Sequence, residues 1–327
     1  MPANKEKTCA VVFGGAGFVG THLLRNLVER KLRHIVSFDI AEPAEPVSGV
    51  EYVYGDVRDS IPVEMVSSVP EIYDVAAVHR TPGHPDHEYY ETNVLGALNV
   101  REFASRVGAN EIVFTSSIAV YGPGEDLKSE QSETNPVSAY GWSKLLAESS
   151  YRQWVRSVED RKLIIVRPAV IFGEGEKGNF TRLAAALRRR MFFYPGRDDT
   201  IKACGYVEEL ICAIDFVRSL ERKYTVFNFC FPECNSIASI CHTFKTVAGL
   251  PRPLGKVPLS LLKVVAFMFE ALNEIGIRNS ISRARIEKLT RSTNVQPATL
   301  IELGYEFETD LASGLRRWAQ VSEGRFV

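Results

Sequence analysis

Tyr140 and Lys144 stand four residues apart in Tyr140-Gly141-Trp142-Ser143-Lys144, a spacing that puts a phenol and an ammonium on one face of a helix. A phenol with a pKa of about 10 is a poor base at neutral pH. A neighbouring cation favours the phenolate and brings it into working range for proton transfer. Thr115-Ser116-Ser117 close an apolar run, Ile112–Thr115, and can orient a reacting oxygen through a hydroxyl. Alone, the Tyr/Lys spacing describes a surface pair equally well. Its meaning depends on what surrounds it.

A second constellation supplies that setting. The apolar run Cys9–Phe13 leads straight into Gly14-Gly15-Ala16-Gly17-Phe18-Val19-Gly20, and a helical pattern starts near Thr21. Glycines at 14, 17 and 20 permit a tight turn, close backbone approach to a pyrophosphate and close helix–strand packing, with the helix N-terminus aimed at the phosphates. Asp39 ends the second apolar run, 19 residues after Gly20, where a carboxylate accepts from the adenosine ribose hydroxyls. A carboxylate there repels a ribose 2′-phosphate, so NAD(H) is expected over NADP(H). Asp56, in Gly55-Asp56-Val57, reads either as an acceptor for the adenine amino group or as a solvated loop acid.

The elements that must hold these residues alternate along the chain. Strands are expected at Cys9–Phe13, Ile35–Phe38, Glu51–Tyr54, Ile72–Ala77, Ile112–Thr115, Leu163–Val166 and Val226–Phe229, and helices at Thr21–Arg30, Tyr90–Val107 and Ala139–Val158. Several strands are continuous Val/Ile/Phe runs, as in parallel sheets covered on both faces. The fold class is therefore α/β, a Rossmann-type doubly wound parallel sheet of about seven strands. After Val166 the pattern loosens. Residues 1–170, with 206–232 returning to them, are expected to bind NAD; 171–205 and 233–327 are expected to form a smaller mixed lobe for the substrate. Arg188, Arg189 and Arg190 suit a helix C-terminus, with phosphate binding the alternative reading.

Composition bounds the partners. Of 327 residues, 45% are hydrophobic, and 39 basic side chains face 40 acidic ones, leaving no chain-wide electrostatic footprint for nucleic acid or an anionic membrane. The six cysteines are scattered with no CxxC pair, so neither a disulfide scaffold nor a metal site is expected. Cys9–Phe13 is too short for a signal peptide core. Leu259–Ile277 is interrupted by Lys263, Glu270 and Glu274; a spanning helix needs ~20 largely apolar residues. An amphipathic helix packed on the core or on a second subunit is expected there, ahead of docking on a membrane surface. A cytoplasmic protein with no membrane span follows.

Together these residues resemble the extended short-chain dehydrogenase/reductase family, in its nucleotide-sugar epimerase/dehydratase branch. The G-x-x-G-x-x-G spacing is that family's form. So are Gly55-Asp56-Val57, Asn93-Val94-x-Gly96, Thr115-Ser116-Ser117 followed by Tyr121-Gly122, Tyr140-Gly-x-Ser-Lys144, and Arg167-Pro168 with Phe172-Gly173. The resemblance implies Tyr140 as acid/base, Lys144 as its pKa-lowering partner and ribose ligand, and Ser117 as the hydroxyl bridging to the sugar oxygen. It implies Asn93 as support for the active-site helix. NAD contacts would come from Gly14, Gly17, Phe18, Val19, Gly20, Asp39, Ile40, Asp56, Val57, Ala76, Ala77, Asn93, Thr115, Tyr140, Lys144 and Pro168. It also implies a homodimer through Tyr90–Val107 and Ala139–Val158.

Departures from the family pattern narrow the reaction. Members usually carry His-Leu-Ala-Ala after the fourth strand; here the matching residues are Asp74-Val75-Ala76-Ala77. The following Val78-His79-Arg80-Thr81-Pro82 either lines the pocket or is a solvated loop. The 4,6-dehydratases place an Asp-Glu pair after the active-site hydroxyl residue, and decarboxylating members a Glu, whereas Ile118-Ala119 follow Ser117. What remains is hydride transfer at a sugar carbon, by a 4-epimerase acting through transient C4 oxidation or by a 4-keto sugar reductase. A 3β-hydroxysteroid-type dehydrogenase and a non-catalytic NAD-binding scaffold are weaker readings. The expected partner is a nucleotide-diphosphate sugar. Its contacts are expected from His79, Arg80, Ser117, Val170, Asn179 and Lys202, the last a lysine where relatives have an arginine for the diphosphate.

Overall fold

The computed structural model describes residues 9–66, 68–81, 83–262 and 290–327. The apolar runs become a seven-stranded sheet built from β1 (Cys9–Phe13), β2 (His34–Asp39), β3 (Glu51–Tyr54), β4 (Pro70–Asp74), β5 (Glu111–Thr115), β7 (Lys162–Pro168) and β11 (Tyr224–Phe229). Between and beyond them lie the short strands β6 (Gly124–Lys128), β8 (Val170–Phe172), β9 (Tyr194–Pro195), β10 (Cys204–Tyr206), β12 (Lys256–Val257) and β13 (Thr293–Val295). The spatial order is β3-β2-β1-β4-β5-β7-β11, and every pairing is parallel. Chain order reverses at β1, so the crevice at the carboxyl ends of β1 and β4 is the topological switch point where such sheets take ligands.

The two-residue period of the strands divides their side chains between two cores. Val11, Phe13, Val36, Phe38, Ile112 and Phe114 point to one face; Ala10, Val12, Ile35, Val113 and Ile164 point to the other. The first face is covered by α3 (Gly96–Arg106) and α4 (Ala139–Arg156), which contribute Val100, Phe103, Tyr151 and Trp154. The second is covered by α1 (Phe18–Glu29) and α6 (Val207–Ser219), through Leu23, Leu27, Leu210 and Ile214. Both faces being dry explains why β1 is buried along its whole length.

Three expected boundaries shift. Helix α1 begins at Phe18, before Thr21, so the glycine loop is only a few residues long. Strand β4 ends at Asp74 rather than Ala77, because the chain must cross the glycine loop there: a Cβ on Gly14 would lie 2.7 Å from the Ala76 Cα, and Gly14 has φ +83°. The helix expected over Tyr90–Val107 is divided into α2 (Asp86–Tyr90), a π-helical turn at Glu91–Leu95, and α3.

Beyond the sheet, α5 (Asn179–Arg188), α7 (Ile237–Ala248) and the helix Leu311–Val321 pack around Phe172, Phe180, Phe244 and Trp318. The Phe172 and Phe180 rings stack at 4.5 Å. β8 pairs with β10, and β9 with β12. The expected helix over Leu259–Ile277 lies, from residue 263 onward, outside the described residues.

Candidate active site

Helix α4 carries both Tyr140 and Lys144, and its start is fixed by Ser138, whose hydroxyl accepts from the Gly141 amide at 3.1 Å. That N-cap satisfies one of the helix's otherwise unpaired amides. Gly141 has a steric reason: a Cβ there would sit 2.6 Å from the Ala119 carbonyl oxygen. Only glycine lets the first turn of α4 press against the loop after β5, bringing Tyr140 to Ser117. Ser117 is buried, and its Oγ accepts from the Ala119 amide at 3.1 Å, capping a 3-10 turn at Ile118–Tyr121.

Burial pushes the Tyr140 phenol above its ordinary value; a hydrogen bond with Ser117 pulls it back, and Tyr89 pushes it further up. The Tyr89 and Tyr140 ring centroids are 6.2 Å apart. Lys144 is 1% exposed, and its Nζ donates to the Thr115 carbonyl at 2.8 Å while lying 4.8 Å from the Phe114 ring centroid. Burial lowers its ammonium to about 8, against the upward pull of Asp74 and Glu148. In this state the group favouring the Tyr140 phenolate is Ser117, because Lys144 is directed at Thr115.

A layer of buried charge lies beneath these residues. Asp74 accepts from the Tyr151 hydroxyl at 2.6 Å and from the Ala76 amide at 3.3 Å, and burial raises its carboxyl. Glu148 accepts from Arg167 Nε at 2.8 Å and Nη2 at 2.7 Å, from Arg152 Nη2 at 2.6 Å and from Ser116 Oγ at 2.6 Å. Arg167 Nη1 in turn donates to the Tyr121 hydroxyl at 2.7 Å. This ties α4 to the ends of β5 and β7. Sequence reasoning singled out neither Glu148 nor Tyr151. The signal was there, since Glu148 is one helical turn past Lys144 on the inward face, where an acid demands a partner.

The glycine loop fits a dinucleotide. A Cβ on Gly20 would lie 2.2 Å from the Gly14 carbonyl oxygen, so Gly20 brings α1 hard against the loop. Gly17 caps α1 with no side-chain bond, leaving first-turn amides for an anion. Asp39 Oδ2 accepts from the Ala16 amide at 3.0 Å and Oδ1 from the Ala41 amide at 3.0 Å. Two of its roughly four acceptor sites are thereby used and the rest can face ribose hydroxyls.

Around the loop, Phe18 and Val19 are half-buried in the first turn of α1, Ile40 is exposed, and Val57 is buried under Gly96. Asp56 is engaged by Arg58 at 2.8 Å (Nε) and 2.6 Å (Nη2), which holds its carboxyl below the usual range. Ala76 and Ala77 lie where the chain crosses Gly14. Asn93 accepts from the Val78 amide at 3.0 Å and donates to Ser143 Oγ at 2.9 Å, bracing the 78–81 loop against α4. The Thr115 hydroxyl is buried without a hydrogen-bond partner, and Pro168 ends β7.

The expected substrate residues are more dispersed. His79 and Arg80 are exposed on the loop after β4, with the Arg80 carbonyl accepting from the Tyr89 hydroxyl. Val170 opens β8, and its amide donates to the Ala203 carbonyl at 3.2 Å, beside Lys202. Lys202 Nζ donates to the Arg291 carbonyl at 2.6 Å. Asn179 is exposed at the start of α5. Neither Asn179 nor Lys202 has a side-chain hydrogen bond to Ser117, Tyr140 or Lys144.

A glycine loop at the switch point with Asp39 beside it, near a Ser/Tyr/Lys cluster at the end of β5, accompanies an NAD-dependent enzyme of the extended short-chain dehydrogenase/reductase type. The chain belongs to the NAD dependent epimerase/dehydratase family, whose model matches residues 10–229. It is 28% identical over 327 residues to the N-acetyl-alpha-D-glucosaminyl-diphospho-ditrans,octacis-undecaprenol 4-epimerase of Escherichia coli O157:H7, covering 95% of this chain and 94% of that one. Its fold matches the UDP-glucuronic acid 4-epimerase of Bacillus cereus in complex with NAD at a TM-score of 0.77, with 17% identity over 98% of this chain and all of that one. It also matches MoeE5 in complex with UDP-glucose and NAD at 0.76, with 21% identity over 96% and 98% of the two chains.

Proposed function

We propose that this enzyme is a 4-epimerase of a diphosphate-linked sugar, with Tyr140 as acid/base. Bound NAD supplies a reversible hydride acceptor beside the sugar. Tyr140 takes the C4 hydroxyl proton, Ser117 holds that oxygen in line and favours the phenolate, and the Lys144 ammonium adds to that once it turns from the Thr115 carbonyl toward the phenol. Tyr140 then returns the proton once the transient 4-keto sugar has presented its other face. The observation that carries this reading is the company of Ser117. The turn that follows it is Ile118-Ala119, which offers no carboxylate to eliminate water, and Tyr140 is the phenol that Ser117 draws toward its ionised form.

The sugar donor we favour is a nucleotide-diphosphate sugar, as in the complexes of the structural neighbours. A polyprenol-diphosphate sugar is the second reading, supported by the relative from Escherichia coli that aligns along nearly the whole of both chains. Purified enzyme incubated with a panel of UDP-, GDP- and dTDP-sugars and a short-chain polyprenyl-diphospho-sugar separates the two. Interconversion of sugar configuration without net change in nicotinamide absorbance supports the epimerase. Coenzyme consumption dependent on a keto sugar identifies a reductase instead.

We also propose a homodimer. Tyr90, Leu95 and Leu98 are exposed beside one another in sequence, and Trp142 and Leu146 are exposed on α4. The two helices lie side by side, so a second copy would cover one apolar face. Light scattering tests this; a strict monomer refutes it.

A further inference from the structure

The chain-wide net charge of −1 conceals a local imbalance. Residues 177–197 and 234–262 contain nine lysines and arginines and neither an aspartate nor a glutamate. The pairing of β9 with β12 joins these two stretches: the Leu254 amide donates to the Phe192 carbonyl, the Tyr194 amide to the Gly255 carbonyl, and Lys256 stands opposite Tyr194. The Leu254–Phe192 bond brings together the residues just before each of them, Arg190-Met191 at the close of α5 and Arg252-Pro253.

Some of these charges are already answered. Lys256 pairs with Asp198 at 2.8 Å, Arg197 with Asp199 and Glu125, and Arg188 with the carbonyls of Gly324 and Arg325. Arg189, Arg190 and Arg252 are exposed and make no ion pair among the described residues. Among them stand large apolar side chains with most of their surface in water: Met191 is 67% exposed, Leu254 69% and Leu261 55%. Leu262 and Leu259, by contrast, turn inward against Phe193 and Val257.

We propose that this edge of the substrate lobe docks on an anionic bilayer surface. Three guanidinium groups with no ion pair among the described residues match acidic headgroups in charge, and each arginine held near such a surface is worth about five-fold in partitioning. The thioether and two isobutyl tips between them gain by entering the headgroup–acyl boundary. A nucleic-acid backbone would leave those tips in water, and a second copy of the same patch would set arginine against arginine. The inference is independent of which substrate the enzyme turns over, because membrane binding is measured without turnover.

The test is co-sedimentation of the full-length protein with extruded phosphatidylglycerol/phosphatidylcholine vesicles and with phosphatidylcholine vesicles alone. The expected result is partitioning onto the mixed vesicles only, falling as salt is raised. The triple variant Arg189→Glu/Arg190→Glu/Arg252→Glu should weaken it by about 100-fold or more. Met191→Ser/Leu254→Ser should weaken it with the charge unchanged. Arg106→Glu, an exposed arginine on α3, should leave it as in the wild type. No sedimentation, equal sedimentation with neutral vesicles, or equal loss on Arg106→Glu overturns the proposal. So does retention on RNA in place of vesicles. The salt dependence of the unaltered protein decides the matter even if a variant fails to fold.

Discussion

Tyr151 donates its hydroxyl hydrogen to Asp74 at 2.6 Å, two turns along α4 from Lys144 and on the same face. The side chain of Phe114 lies between these groups: its ring is 4.8 Å from Lys144 Nζ and 4.8 Å, centroid to centroid, from the Tyr151 ring. A buried carboxyl thus stands behind the Lys144 ammonium, at the position where the family pattern has a histidine. Its attraction for Lys144 opposes the loss of the lysine proton. Asp74→Asn removes that attraction, so the Lys144 pKa falls below about 8. The charged, working form exists only below that pKa, and the alkaline limb of the kcat profile should therefore move to lower pH, with a several-fold loss at pH 8. An unchanged profile would show that Asp74 serves packing alone.

Lys144 also sets a trade between stability and activity. Its ammonium is lowered from 10.5 to about 8 in the folded protein, so between those values the unfolded chain binds the extra proton and stability rises with pH. Below about 8 the full cost of burying the charge is present, up to roughly 3 kcal/mol. Lys144→Met should therefore raise the Tm of the cofactor-free protein near neutral pH while abolishing turnover. The gain should disappear above the pKa of the unfolded lysine. Thermal melts of both proteins across this range check the sign; a variant less stable at neutral pH would refute it.

Tyr140→Phe removes the hydroxyl proposed to carry the proton and leaves the glycine loop untouched. Turnover should fall by about 10²- to 10⁴-fold, the usual contribution of general acid–base catalysis, with NAD still bound at wild-type stoichiometry. Undiminished turnover would remove the role assigned to Tyr140.

Asp39 holds the Ala16 amide and carries the charge that disfavours a 2′-phosphate. Asp39→Asn keeps an acceptor for that amide and removes the charge. Near-contact repulsion in a hydrated site is worth on the order of 1 kcal/mol, so the preference for NAD(H) over NADP(H) should narrow by roughly five- to ten-fold. Isothermal titration with both coenzymes measures the ratio, and no change would place the discrimination elsewhere.

The sheet, the glycine turn and the Tyr140/Lys144 pair on one helix were legible because their physics is local. Continuous apolar strands, a glycine turn with an acid 19 residues on, and a tyrosine and lysine one turn apart each declare themselves within a short window. What was not legible depends on pairs far apart in sequence. Glu148 meets Arg167 and Ser116, and Asp74 meets Tyr151; no local pattern announces such partners. The boundary of β4 was misjudged because Ala76 and Ala77 read as strand by composition, whereas the close approach of Gly14 decides their path. The net charge, an average over the chain, is silent on the local basic edge beside β9 and β12.

The placement of β11 carries a consequence for synthesis. Among the described residues its partner in the sheet is β7, yet α5 and α6 are made between the two. On the ribosome, six strands can assemble while β7 still presents a bare hydrogen-bonding edge of mainly apolar residues. Until Tyr224–Phe229 emerges, the nascent chain carries an open template for pairing with a neighbour. Chaperone demand should therefore concentrate on chains stalled after Pro168.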